Sequence, residues 1–212
     1  MFFKDSCIPF KCKTQDDKSD DEIYKKLIKI ENNIKQFVDE GGNIFLYSSI
    51  CGNGKTSWAI RLLCSYFNVA WVKSNPLVCE GLFINVPRFL IALKDNISNY
   101  NEYADYIIHN VMDASLVVWD EVATKSLTPY EHEQLLTLIN ARLDAKKSNI
   151  YTSNLTPQEL GIALGDRLYS RIVNASQNFE FKTQDKRPYT ILKSNENNTI
   201  KKADEVGDTN AE

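Results

Sequence analysis

The order of apolar and polar residues predicts strands that alternate with helices along most of the chain. Short apolar runs recur at 44–47, 82–86, 116–119, 149–152 and near 179–181, and longer segments with helical periodicity separate them. Continuous apolar strands between helices are typical of a parallel sheet that is buried on both faces. We therefore expect an α/β fold in which a five-stranded parallel sheet lies between two layers of helices.

Helices are predicted from apolar spacing and from the signals at their ends. Residues 21–38 carry one apolar stripe and precede Gly41-Gly42, so they predict an amphipathic helix that packs on the core, with partner binding as the alternative. The segment 87–112 is largely helical in pattern. Two more helices are predicted to start at Pro129 and Pro157, since each proline follows a threonine and precedes a glutamate as in a capping box.

Length and charge indicate one domain with short appendages. The chain has 212 residues, of which 43% are hydrophobic and 25% charged, as in soluble globular proteins. The net charge of −3 equals the charge of the polar segment 194–212, so the rest of the chain is neutral and any contact with nucleic acid should be a local patch. We expect a flexible arm over 1–20, a single domain over 21–193 and a disordered acidic tail over 194–212.

Cysteine usage and the N-terminus bear on the cellular compartment. The five cysteines are scattered and odd in number, which favours reduced thiols and a cytoplasmic protein. The N-terminus has no sustained apolar core, so no secretory signal is expected, and no apolar run approaches the ~20 residues of a membrane span. Cys7 and Cys12 could suggest zinc, but both histidines are far away in sequence, so a flexible or docking arm is favoured.

A phosphate-binding loop follows the first predicted strand. Gly52 and Gly54 allow a tight backbone whose N–H groups point at phosphate oxygens, and a helix begins near Lys55. Lys55 would reach the β- and γ-phosphates of ATP, and the Thr56 hydroxyl would bind Mg²⁺. The first glycine of the usual pattern is replaced by Ser49. The predicted nucleotide-binding residues of this loop are Ser49, Ile50, Cys51, Gly52, Asn53, Gly54, Lys55, Thr56 and Ser57.

Two adjacent acids end the third predicted strand. Asp120 and Glu121 follow an apolar run, and the carboxyl ends of parallel strands meet at one edge of a sheet. Asp120 would hold Mg²⁺, and Glu121 would orient and polarise the attacking water. Both acids could instead be ordinary residues at the start of a helix, but the phosphate loop upstream favours catalysis.

Two later segments supply further polar candidates. Asn154 follows the fourth strand, where it could hydrogen-bond the attacking water or the γ-phosphate, or serve as a turn residue. Arg167 and Arg171 are four residues apart on a predicted helix and would share one face. An arginine at the edge of one protomer can reach the γ-phosphate of a neighbour, although a plain surface pair is the alternative.

Taken in order, these motifs resemble a known family. S-I-C-G-N-G-K-T, V-V-W-D-E, Y-T-S-N and G-D-R-L-Y-S-R-I are similar to the AAA+ ATPase domain of DnaC/DnaI-type helicase loaders and of the related IstB transposition helpers. The resemblance covers about residues 22–192. It implies a P-loop three-layer α/β/α sandwich that binds ATP and Mg²⁺. The chain departs from the family pattern in the short segment before the phosphate loop and in a lid that is reduced or absent, as in a minimal, phage-type version.

The resemblance also implies roles for individual residues. Asp120 and Glu121 would form the Walker B pair, Asn154 would be sensor 1, and Arg171 would be the arginine finger with Arg167 beside it. Arg187 is a candidate sensor 2, in a segment that lacks the glycine of the family pattern.

The resemblance also implies that the helical stretch 87–112 lies where these helicase loaders carry an extra helix for single-stranded DNA. Three of its residues are therefore candidate contacts for single-stranded DNA. They are Arg88, Lys94 and Tyr100. An ordinary solvent-exposed helix face would explain these residue types equally well.

The implied function is that of an ATPase that loads a replicative DNA helicase of the DnaB type. It would bind single-stranded DNA weakly and self-associate so that Arg171 completes the ATP site of a neighbour. Three alternatives stay open: a transposition helper of the same fold, a non-catalytic adaptor or inhibitor of the host loader or helicase, and a small-molecule P-loop kinase.

Overall fold

The sheet is wholly parallel and has five strands. In the computed structural model, residues 20–70, 79–123 and 127–185 are described. The strands are β1 (Asn43–Tyr47), β2 (Gly81–Asn85), β3 (Leu116–Asp120), β4 (Ser148–Ser153) and β5 (Gln177–Glu180). Their order across the sheet is β2-β3-β4-β1-β5, so β1 and β3 both flank β4. The predicted five-stranded parallel sheet is confirmed, and the predicted strand ends agree to within two residues.

Apolar residues cover both faces of the sheet, which explains why the strands lack alternation. Helices α1 (Asp21–Asn32), α2 (Ile34–Asp39) and α3 (Lys55–Ala70) pack on one face with Ile44 and Val118. Helices α4 (Val86–Ser98), α5 (Glu102–Asn110), α6 (Pro129–Asp144) and α7 (Pro157–Tyr169) pack on the other with Phe45 and Trp119. Successive residues of a strand point to opposite faces, so β1, β3 and β4 in the middle of the sheet are buried on both faces, whereas β5 at its edge buries only Phe179. The three-layer α/β/α sandwich is therefore confirmed.

Two helix starts follow the predicted capping chemistry. The Thr128 side chain accepts a hydrogen bond from the backbone N–H of Glu131, and the Glu131 carboxylate accepts one from the backbone N–H of Thr128. Thr156 and Glu159 repeat this reciprocal pair at α7. Each box satisfies two backbone donors that a helix otherwise leaves unpaired at its start.

The prediction of a single helix over 21–38 is wrong, because the helix is interrupted at Asn33. Asn33 has φ −120°, which is not helical, and its side chain donates to the backbone oxygen of Lys29. Asparagine competes with the helix for backbone hydrogen bonds, and here that competition separates α1 from α2.

The predicted helix around Arg167 and Arg171 is also not a regular one. Gly165 has φ 74° and ψ 165° inside α7, so the helical path is kinked there. Arg167 lies in the last turn of α7, and Arg171 lies in a π-helix (Ser170–Asn174) that follows it. The expectation that both arginines share one face of a continuous α-helix therefore fails, since neither segment continues the other with 3.6 residues per turn.

Among the described residues, no helix is long and apolar enough to span a membrane. Several predictions fall on residues outside the described ranges. They concern Cys7 and Cys12, Arg187 and the acidic tail 194–212.

Candidate functional site

The carboxyl ends of β1, β3 and β4 bring the phosphate loop and the two predicted acids together. The register pairs Tyr47 with Ser153 and Trp119 with Tyr151, so the three strands end at the same edge of the sheet. Parallel strands place their following loops on this edge, which is where ligands bind in open α/β sheets. The loop between β1 and α3 thus lies beside the residues that end β3.

The phosphate loop is held in shape by two buried polar side chains. The Ser48 hydroxyl accepts hydrogen bonds from the backbone N–H of Ile50 and from the side-chain amide of Asn53. Asn53 is 1% exposed and also donates to the backbone oxygen of Phe181, just after β5. Gly52 and Gly54 have φ of 74° and 104°, a region that favours glycine. The loop is therefore anchored from within the fold.

Lys55 is buried at the first position of α3. Its side chain is only 6% exposed, and its Nζ donates to the backbone oxygen of Ile50 at 3.0 Å and to Asn53 Oδ1 at 3.2 Å. Both acceptors belong to the loop itself. The ammonium group consequently lies under the loop and adds positive charge to the N-terminus of a long helix.

Thr56 and Asp120 are in direct contact across 64 positions of sequence. The Thr56 hydroxyl donates to Asp120 Oδ1 at 2.8 Å, and the Thr152 hydroxyl donates to the same oxygen at 2.7 Å. Burial raises the pKa of the Asp120 carboxyl, and these two hydrogen bonds oppose that effect. Hydroxyl and carboxylate oxygens are the ligands that Mg²⁺ prefers, so this pair fits the predicted magnesium site.

Glu121 has a backbone conformation that is unusual for a glutamate. Its φ is 59°, and its N–H donates to the Thr152 hydroxyl at 3.0 Å. Its carboxylate accepts a hydrogen bond from the Asn85 side chain at 3.3 Å. A non-glycine residue with positive φ costs free energy and persists where surrounding contacts hold it, often at functional sites.

Asn85 and Thr152 belong to this cluster but were not predicted. Asn85 is the last residue of β2 and the N-cap of α4, where its oxygen accepts from the backbone N–H of Arg88. Thr152 lies within β4 and contacts both acids. Each stands at the carboxyl end of a strand next to β3, which is a signal that the strand order could have supplied.

Asn154 follows β4 directly and is partly exposed beside the loop edge. The turn after the strand is made by its neighbour, since the Ser153 hydroxyl accepts from the backbone N–H of Leu155. Thr156, not Asn154, is the N-cap of α7. Within the described residues the Asn154 side chain makes no hydrogen bond, so its amide is available to a ligand.

The two predicted arginines lie away from this cluster in the same chain. Arg167 and Arg171 are both exposed, and among the described residues their side chains make no ion pair. Arg167 lies in the last turn of α7 and Arg171 in the π-helix that leads to β5, which is an edge strand of the sheet. The site of one chain thus contains a lysine and two acids, while the arginines face outward.

The three candidate DNA contacts differ in their surroundings. Arg88 stacks on the ring of Tyr103 at 4.6 Å, and Tyr100 is 75% exposed. Lys94 forms a 2.9 Å ion pair with Glu131, whose side chain is 2% exposed. Lys94 therefore has a structural task, whereas Arg88 and Tyr100 are displayed on the surface of α4 and the turn after it.

Comparisons with known proteins identify replication proteins as similar. No protein-family model matches the chain. The replicative helicase loader DnaC of Buchnera aphidicola subsp. Schizaphis graminum is 21% identical over 165 residues, which are 76% of this chain and 63% of the relative's length.

Two solved structures support the fold. The crystal structure of the DnaC helicase loader matches with a TM-score of 0.56 at 21% identity and covers 71% of this chain and 86% of that one. The replication initiator DnaA bound to AMPPCP and single-stranded DNA matches with a TM-score of 0.60 at 18% identity, covering 83% and 50%. These likenesses confirm the predicted AAA+ P-loop fold and the resemblance to DnaC-type loaders.

Proposed function

We propose that this protein is an ATP-dependent helicase loader that acts in DNA replication. The observation that carries the ATP part is the contact between Thr56, which follows the phosphate-loop lysine, and Asp120, which ends β3. The similarity to helicase loaders named DnaC supports the loader part, as does the AAA+ fold. A small-molecule kinase is disfavoured, since it rarely needs an adjacent pair of acids at this strand end.

In the proposed mechanism, the protein binds ATP through the phosphate loop, and three sets of groups stabilise the negative charge of the phosphates. Lys55 exchanges its loop acceptors for phosphate oxygens, and the backbone N–H groups around Gly52 and Gly54 surround the β-phosphate. Thr56 and Asp120 would hold Mg²⁺, which neutralises charge on the transferring phosphate.

Glu121 orients the attacking water in this mechanism, and Asn154 hydrogen-bonds the water or the γ-phosphate. Asn85 fixes the Glu121 carboxylate through the hydrogen bond at 3.3 Å. Because Asn85 also caps α4, a ligand that moves the start of α4 would move this carboxylate. Arg171 of a neighbouring copy supplies further positive charge on the γ-phosphate side.

The loader would contact single-stranded DNA weakly through α4 and the turn that follows it. Arg88 offers a cation and Tyr100 an exposed aromatic ring, and these are the two groups that bind a strand through phosphate charge and base stacking. The near-neutral charge of the domain keeps this contact local and sensitive to salt.

Co-purification with a replicative helicase of the DnaB type tests this function. Tagged wild-type protein should retain the helicase more strongly with ATP than without it, and Lys55→Ala should lose the ATP-dependent part. Lys26→Ala, which removes an exposed lysine on α1, is the matched control. Retention of a transposase but not of the helicase, or phosphorylation of nucleoside substrates, would overturn the proposal.

A further inference from the structure

Gly165 holds a backbone conformation that only glycine adopts readily. Its φ of 74° and ψ of 165° interrupt α7 between Leu164 and Leu168, both of which are buried. This region of backbone space is closed to residues with a Cβ. A Cβ placed on Gly165 would meet no atom within 4 Å, so the reason for glycine is the backbone angle and not a lack of space.

The kink decides which way the two arginines point. Leu160 is fully buried and marks the face of α7 that packs on the core. At about 100° per residue, positions seven and eleven residues later return to within ~20° of the same direction in an uninterrupted α-helix. Those positions are Arg167 and Arg171, so a straight helix would point both arginines at the core.

The observed chain buries a different set of side chains after the kink. Leu168, Ile172 and Val173 are each at most 4% exposed, while Arg167 and Arg171 are exposed. The π-helix (Ser170–Asn174) has a wider turn than an α-helix, and it keeps Ile172 and Val173 buried in the segment that leads to β5. The break at Gly165 and the widened turn together exchange arginines for aliphatic residues on the buried face.

We propose that Gly165 is a positioning residue that turns Arg167 and Arg171 out of the core and toward the ATP site of a neighbouring copy. This rests on the proposed function, in which Arg171 acts in trans. Substitution by alanine favours the straight helix, because alanine is the best helix former and cannot hold the observed angles without strain. The arginines would then be withdrawn from the protomer edge.

Mixing experiments between variants test this role. Gly165→Ala should bind a fluorescent ATP analogue within ~2-fold of wild type, because its own loop is intact, yet lose at least ~10-fold in ATPase rate, as for a finger supplied in trans. Glu121→Gln should also be inactive alone, but it retains the kinked segment. Mixing the two should restore activity, since Glu121→Gln protomers then supply Arg171 to the sites of Gly165→Ala protomers.

Two controls separate failure of this proposal from failure of the shared site. A mixture of Arg171→Ala with Glu121→Gln must regain activity; if it does not, the shared site itself is wrong. If it does, but Gly165→Ala is fully active or is not restored by mixing, the positioning role is wrong. Gly161→Ala lies in the same helix, where its Cβ would only touch the Tyr169 ring at 3.4 Å, and should keep full activity.

A stability measurement covers the case in which Gly165→Ala folds poorly. Arg171→Leu should raise the melting temperature in the Gly165→Ala background, because a straight helix points that position at the core. In the wild-type background, where position 171 is exposed, the same change should leave the melting temperature nearly unchanged. Equal effects of Arg171→Leu in both backgrounds would overturn the proposal.

Discussion

Two buried cations lie at opposite ends of the same sheet and have different partners. Lys55, at the carboxyl ends of the strands, donates to two oxygens of its own loop. Arg142, near the amino end of β4, is fully buried, and its guanidinium donates to the Asn149 side chain and to three backbone oxygens. Among the described residues, Arg142 forms no ion pair with a carboxylate.

The difference lies in whether the partners can be exchanged. The backbone acceptors of Arg142 are the oxygens of Val111, Ala114 and Ser148, and these come from two segments of the chain that the guanidinium holds together. The acceptors of Lys55 lie in a loop that phosphate oxygens can replace. We therefore expect the Arg142 charge, which has fixed partners, to stabilise the fold, and the Lys55 charge, which has exchangeable partners, to serve ligand binding.

Changing Lys55 to alanine tests the ligand-binding side of this difference, because the expected effect is on nucleotide binding. Loss of its charge-assisted hydrogen bonds should weaken affinity for an ATP analogue by ~100-fold, measured by titration calorimetry. The free energy of unfolding without nucleotide should change by less than ~1 kcal/mol. A large loss of stability with normal nucleotide affinity would show that Lys55, like Arg142, stabilises the fold instead of binding a ligand.

The converse effect is expected for Arg142→Met. Burial lowers the pKa of Arg142 to about 10, and the charge remains at neutral pH, so its removal leaves several buried acceptors unpaired. The free energy of unfolding in urea should fall by ~3–5 kcal/mol. Nucleotide affinity of the folded fraction should stay within ~2-fold of wild type. Loss of affinity without loss of stability would show that the two ends of the sheet are not separate.

A smaller effect is expected at Glu131, a buried acid with fixed partners. Its pKa is lowered to about 2, because burial is outweighed by hydrogen bonds from the backbone of Thr128 and from Lys94. The charge should contribute ~2 kcal/mol of stability above pH 4.5, and this contribution should be lost as pH falls through about 2. Glu131→Gln keeps the capping geometry, so its destabilisation measured in urea should shrink over this range.

The second capping box supplies the matched control for Glu131. Glu159 makes the same bonds to Thr156, but it is exposed and has no ion pair among the described residues. Glu159→Gln should therefore have less effect at neutral pH than Glu131→Gln. Equal effects would mean that burial and Lys94 add nothing to the cap.

Much of the fold could be predicted because its signals are local. Most of the strands contain short apolar runs, and the capping boxes at Thr128 and Thr156 need only four consecutive residues. The phosphate loop and the acids after β3 are also local patterns. The break at Asn33 could not be predicted from periodicity, since the apolar spacing continues across it. The kink at Gly165 was missed, although Arg167 and Arg171 occupy positions where the apolar stripe of a straight helix would continue.

The residues missed in the site have no local signature. Asn85 and Thr152 contact the two acids only because β2 and β4 lie on either side of β3. Arg142 lies three residues after Ile139 and seven after Leu135, on the buried face of α6, but a basic side chain is ordinary in the last turn of a helix, so its burial was not predicted. Its burial depends on chain segments at 111–114 and 148–149 that meet it only in the folded molecule.

The amino-acid sequence alone determined the class of fold, the nucleotide loop and the identity of the acids beside it, because each depends on neighbours within a few residues. The tertiary structure decided which polar groups meet those acids, which buried cation has fixed partners and which way the arginines face. Those outcomes depend on strand order and on the backbone angles at Gly165, which the short motifs of the sequence do not specify.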